Sequence, residues 1–157
     1  VERIETLIQI IIGCISVYFI GRIILDKFRD IKKISNKIND ETEQTSDLKI
    51  FSYVYRNVLL DFGTEFNYCK FYFYENEIYL YCRNTYPTNI YKAPFILKYN
   101  DENDYSYFSK FILTKFILNG NDLKIQFKNK NLIGTKLTLN IVNISEDDKK
   151  VLTEKFK

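Results

Sequence analysis

Apolar and polar positions follow different periods in different parts of the chain, and each change of period marks an element. From Ile4 to Leu25 the stretch IETLIQIIIGCISVYFIGRIIL is nearly all apolar. A helix rising about 1.5 Å per residue crosses a hydrocarbon core of about 30 Å in roughly that length. Glu5, Gln9, Ser16 and Arg22 interrupt the run. Glu5 and Arg22 stand near its ends, where the long stem of Arg22 can carry its charge back to the interface. From Asp26 to Asn39 the apolar residues thin out to Phe28, Ile31, Ile34 and Ile38, with charges between. That spacing is helical, and Ile24 extends the stripe back into the apolar run. We therefore expect a transmembrane helix over residues 1–25, continued by a basic juxtamembrane helix and linker over 26–46 that frays near NDETEQTSD. The stripe is expected to belong to a solvated stalk. A self-association seam is the alternative, but the repeat is short for a coiled coil.

After Ser46 the period changes, and residues 47–157 are expected to form a β-rich domain. DLKIFSYVYRNVLLDFG fits a helix, with Ile50, Val54 and Val58 on one side and Gly63 as its stop, or a strand in which Tyr53 and Tyr55 alternate. CKFYFYENEIYLYCR, Cys69 to Arg83, reads more clearly. Folded about a Glu75–Asn76 turn, it sets Tyr74 opposite Glu77, Phe73 opposite Ile78, Phe71 opposite Leu80 and Cys69 opposite Cys82. One face is then wholly apolar. The other carries Lys70, Tyr72, Tyr74, Glu77, Tyr79, Tyr81 and Arg83. A slip of one residue would scramble that separation, so the register is well specified. Further strands are expected in APFILKY, KFILTKFIL, LKIQFK (Leu123, Ile125 and Phe127 inward) and KLTLNIVNI (Leu137, Leu139 and Ile141 inward). SEDDKKVLTEKF closes the chain as an amphipathic helix, with Ser145 as N-cap, acids in the first turn, and Val151, Leu152 and Phe156 on its apolar side.

The fold class expected is an N-terminal transmembrane helix plus a mainly-β soluble domain of about seven strands with a C-terminal capping helix. Strands in succession followed by that helix, from about Phe66 to Phe156, resemble the pleckstrin-homology-like (PH-like) fold. The resemblance implies an open barrel of two nearly orthogonal sheets, with the last helix plugging one end. Many members of that fold bind phosphoinositides through basic residues in the loop joining the first two strands. The matching loop here, Glu75-Asn76-Glu77, is acidic, and this departure counts against the usual headgroup site.

Composition narrows the chemistry. The chain holds 13 Tyr, 13 Phe and 3 Cys but no His, Met or Trp. Tyr, Phe, Lys, Asn and Ile have A/T-rich codons, so an A/T-rich bacterial genome would supply many of them without a functional reason. Without histidine, Ser-His and Cys-His nucleophile pairs and His-bearing zinc sites are impossible. The cysteines are too few for an all-cysteine zinc site. NDENDY, from Asn100 to Tyr105, lacks the ligand spacing and central glycine of a calcium loop. We expect no enzymatic activity, no cofactor and no metal. A net charge of +3 is too small to imply nucleic acid, and none is expected as a partner.

Charge asymmetry sets the expected orientation. Arg22, near the far end of the apolar run, and Lys27, Arg29, Lys32, Lys33 and Lys37 after it outweigh Asp26 and Asp30, against Arg3 on the near side, so the domain should face the cytoplasm. A cleaved signal peptide would want a basic start and a small-residue cleavage site. VERIE carries Glu2 and Glu5, and no Ala-x-Ala pattern follows the run. A retained anchor is expected.

Two surfaces could bind. Lys124 and Lys128 share the outward side of one strand, with Lys130 and Lys136 close in sequence; beside a membrane they could meet anionic lipid. Tyr72, Tyr79 and Tyr81 offer large amphipathic rings suited to a protein partner, unless another segment of the chain covers them. The functional expectation is a membrane-anchored, non-catalytic interaction module facing the cytoplasm. The alternative is a small membrane-anchored inhibitor or immunity-type protein, or an accessory subunit of a larger membrane complex.

Overall fold

The first element, α1 (Glu2–Lys37), is one unbroken helix of 36 residues. Its apolar part has a mean hydropathy of 2.1, with none of that window buried against the rest of the protein. It is long and apolar enough to span a membrane. The computed structural model describes residues 2–39, 41–55, 66–99, 105, 110–131 and 134–156.

Among the described residues eight strands and one helix follow: β1 (Glu43–Gln44), β2 (Leu48–Tyr55), β3 (Tyr68–Tyr74), β4 (Glu77–Arg83), β5 (Phe95–Lys98), β6 (Phe111–Asn119), β7 (Asp122–Asn129), β8 (Lys136–Ile141) and α2 (Glu146–Phe156). The strands run in the order β5-β4-β3-β2-β8-β7-β6, with the short β1 on β3. All these pairings are antiparallel. β2 is the corner. Its first residues pair with β3, and the stretch from Ile50 onward pairs with β8. The outer strands approach again at a bridge between Ile96 and Lys110, so the sheet curls into a near-closed barrel.

The β3–β4 hairpin has the expected register at every pair from Tyr68↔Arg83 to Tyr74↔Glu77. Its two-residue turn puts Glu75 at φ 50, the left-handed backbone that such turns demand. Cys69, Phe71, Phe73, Ile78, Leu80 and Cys82 are all buried in the main core. Leu123, Ile125 and Phe127 of β7 join them with Leu137, Leu139 and Ile141 of β8. Both core cysteines are free thiols. Of the two readings of DLKIFSYVY, the strand is correct, because Leu48 and Ile50 enter the core while Phe51 points out. Residues 56–65, with the expected Gly63 stop, lie outside the described ones, as do Asn100 to Asp104 of NDENDY.

α2 forms as its sequence predicts. The Ser145 hydroxyl accepts a 3.1 Å hydrogen bond from the Asp148 amide and donates one of 2.7 Å to the Asp148 carboxylate. That carboxylate also accepts from the Ser46 amide (2.9 Å) and hydroxyl (2.6 Å), tying the helix start to the approach to β2. Leu152 is buried in the main core, and the Phe156 ring lies 5.8 Å from that of Phe71 and 6.0 Å from that of Phe127. The helix therefore closes an end of the barrel.

The expectation of a solvated stalk is overturned. Ile34 is 0% exposed, packed with Tyr79, Ile96 and Tyr105, and Ile38 packs beside it. A stripe too short for a coiled coil is long enough to seat two turns of helix on a sheet.

Candidate functional site

The tyrosine face of the β3–β4 hairpin finds its partner within the chain. Consecutive outward rows on these strands are Tyr74–Glu77 and Tyr72–Tyr79, the latter extended by Ile96 of β5. Ile34 of α1 rests on the second row and Lys37, one turn on, meets the first. Of the candidate tyrosines, Tyr79 is corrected from a contact residue to a buried one, with 0% exposure. Its ring is enclosed because it packs with Ile34 of α1, Ile96 of β5 and Tyr105. Tyr72 and Tyr81 are half-buried at the margin of the same cluster, their rings 5.3 Å apart in an edge-to-face contact.

A carboxylate sits at the centre of this contact. Glu77 Oε2 accepts a hydrogen bond from Lys37 Nζ at 2.5 Å and another from the Tyr79 hydroxyl. The Tyr105 hydroxyl donates to the same carboxylate at 3.0 Å, and Lys37 Nζ also donates to the Tyr105 oxygen at 2.9 Å. The Lys37 ammonium lies 5.8 Å from the Tyr74 ring centre and 5.4 Å from that of Tyr105. A buried charge needs this much company to stay ionised. Burial alone would push the Glu77 carboxyl up, but the hydrogen bonds from Lys37, Tyr79 and Tyr105 outweigh it and hold it below its ordinary 4.5. Burial would lower Lys37, and its bonds to Glu77 and Tyr105 instead raise it above 10.5. Burial, then the hydrogen bond to Glu77, keeps Tyr79 protonated far into the alkaline range.

Glu77 is more acidic folded than unfolded, so its contribution is complete above about 4.5 and is lost as pH falls through its lowered folded value. Lys37 is more basic folded, so its contribution is complete below about 10.5 and is lost as pH rises through its raised value. Asp148 adds to the acid limb: burial is outweighed by bonds from Ser46 and Ser145, which lower it. Melting the full chain across pH should show Glu77→Gln less stable at neutrality, with a shallower acid limb than the parent. Parallel acid limbs would contradict the assignment.

The basic candidates divide. Lys124 and Lys128 are exposed on the outer side of β7, and Lys136 of β8 stands directly opposite Lys128. Lys49 and Lys115 are exposed on the flanking strands β2 and β6. Phe51, 61% exposed, lies in a row with Asn140, Lys124 and Ile117 across the four strands. Asp122 is the single acidic residue of these strands; it sits at the end of β7 and accepts a hydrogen bond from the Asn143 amide. Lys130 does not belong to this face. It lies past the end of β7, its ammonium 5.4 Å from the Tyr99 ring centre, and Lys110 lies 5.0 Å from the same ring. The lysine face and the tyrosine face lie on opposite outer sides of the shared core.

Beside the β3–β4 turn is a shallow cleft lined by Glu75, Asn76, Glu77, Lys98, Glu154 and Lys155. Its carboxylates make it a poor seat for an anionic headgroup. Among the described residues no group of cysteine and carboxylate side chains could hold a metal ion. The clamp of Lys37, Glu77, Tyr79 and Tyr105 is what sequence reasoning missed. A carboxylate alone on an aromatic face, together with one lysine beside the isoleucine stripe, was its signal. Protein-family models, curated proteins and solved structures were all compared with this chain, and none matches it.

Proposed function

We propose that this chain is a single-pass membrane protein that presents a non-catalytic binding module to the cytoplasm. Its binding surface is the outer face of β2, β8, β7 and β6, and its partner is a protein with an acidic rim. The observation that carries this reading is the clamp between α1 and the tyrosine face. It ties the module to an apolar helix, while among the described residues the lysine face is exposed. The cations after the apolar run support the cytoplasmic side, and the acidic start VERIE supports a retained helix.

The strand order supports a PH-like barrel, in which a meander of seven strands closes by pairing the first with the last and a terminal helix plugs an end. On that reading β2 is the first strand. The segment to be matched with the headgroup loop is then the one joining β2 to β3 rather than Glu75-Asn76-Glu77.

Phe51, Ile112 and Ile117, exposed among the lysines, supply aromatic and aliphatic anchors ringed by charge, which suit a protein interface. This also fits the inhibitor, immunity-type or accessory-subunit variant of the reading. The test is capture from native membranes by the full chain, with and without Lys124→Glu and Lys128→Glu together. The double reversal should weaken recovery of a stoichiometric partner by about tenfold or more, since opposed like charges cost several kcal/mol. The melting temperature should barely move, because the sites are exposed. Undiminished capture would remove this face from the binding surface.

A further inference from the structure

The clamp fixes how the barrel stands against α1, and therefore which end of the barrel is nearer the membrane. Lys37 meets Glu77, at the start of β4, and Ile34, one turn back, meets Tyr79. Going back along the helix toward its apolar part is thus going forward along β4 toward Arg83. From Glu77 to Arg83 the strand covers about 20 Å at roughly 3.3 Å per residue. The same distance back from Lys37 is about 13 helical residues, which reaches Ile24 at the end of the apolar run. Measured along the two axes, the connection leaving β4 at Arg83 therefore starts about as far from the clamp as Ile24, and on the side of the clamp toward the apolar run.

That connection is built to be held there. Arg83 and Tyr91 form a bridge at its base, and the Arg83 guanidinium lies over the rings of Tyr68 (4.6 Å) and Tyr91 (5.5 Å) while pairing with Asp47. Beyond this base the loop exposes Tyr86 (85%) and Ile90 (69%), with Arg83 and Lys92 flanking. Tyrosine and aliphatic side chains between cations are what the headgroup layer favours.

We propose that the β4–β5 loop is a second membrane contact, with Tyr86 and Ile90 seated in the interfacial layer of the bilayer that α1 crosses. The proposal rests on the anchor reading above. Because the chain has no tryptophan, one introduced indole reports its own surroundings. The full chain carrying Tyr86→Trp, and separately Ile90→Trp, is reconstituted in phosphatidylcholine–phosphatidylglycerol vesicles. The vesicles contain lipid brominated near the top of the acyl chains, and they are floated before measurement. The expected result is blue-shifted emission that loses most of its intensity to the bromines, while Phe51→Trp, on the lysine face, emits as in water and is not quenched. If the protein floats but both loop indoles behave like the Phe51→Trp control, the loop proposal is overturned and the anchor stands. If the protein does not float, the anchor reading fails and takes the loop with it.

Discussion

Tyr79→Ala should destabilise the full chain by about 3–5 kcal/mol, the loss typical of a large buried aromatic. The ring has no exposed surface and is enclosed by Ile34, Ile96 and Tyr105. Its removal opens a cavity between α1 and β4 and takes a donor from the buried Glu77 carboxylate. Tyr79→Phe keeps the ring and isolates the hydroxyl, and should cost about 1–3 kcal/mol for leaving a buried polar group short of a partner. Denaturant melts of the full chain in detergent give both numbers. Hydrogen exchange gives the location: Tyr79→Ala should release the last turns of α1 while β6, β7 and β8 stay protected. An alanine variant as stable as the parent would mean that α1 does not cover this face in solution.

Phe71→Ala should cost a similar amount, about 3–5 kcal/mol, but with a different distribution. Phe71 lies on the opposite side of β3, fully buried, its ring 6.4 Å from Phe73 and 5.8 Å from Phe156. The loss reaches the main core and the seat of α2 together. Exchange should rise across the barrel strands, and α2 should fray first. Domain stabilities are commonly only about 5–15 kcal/mol, so either variant removes a large share. If Phe71→Ala leaves α2 protected, the helix is held by its Ser46–Asp148–Ser145 cap rather than by its aromatic end.

The contrast between these residues shows what the sequence could convey. The hairpin register was legible because period two leaves one arrangement that separates Phe71 and Leu80 from Tyr72 and Tyr79. The inward sets of β7 and β8 and the cap on α2 were legible for the same local reason. The fate of the outer face was not, since alternation says that Tyr72 and Tyr79 point the same way but not what lies above them. That depends on Ile34 and Lys37, forty or so residues earlier, whose spacing is equally that of a solvated amphipathic turn. The lysine set was half legible: Lys124 and Lys128 follow from one strand, and Lys136 joins them only once β8 is known to lie beside β7. Lys130 left the set because β7 ends at Asn129.

α1 is continuous through its junction with the clamp, and this gives the molecule a rotational phase. One residue inserted between Leu25 and Asp30 would turn the barrel by about 100° about the helix axis and lift it by about 1.5 Å. On the proposed anchoring, whatever the lysine face meets in the plane of the membrane would then be met by a different side. Seven inserted residues would bring the azimuth back to within about 20° but raise the barrel by about 10 Å. Heading and height can therefore be varied separately, and the proposed sideways partner answers to the first while the proposed lipid contact of the β4–β5 loop answers to the second.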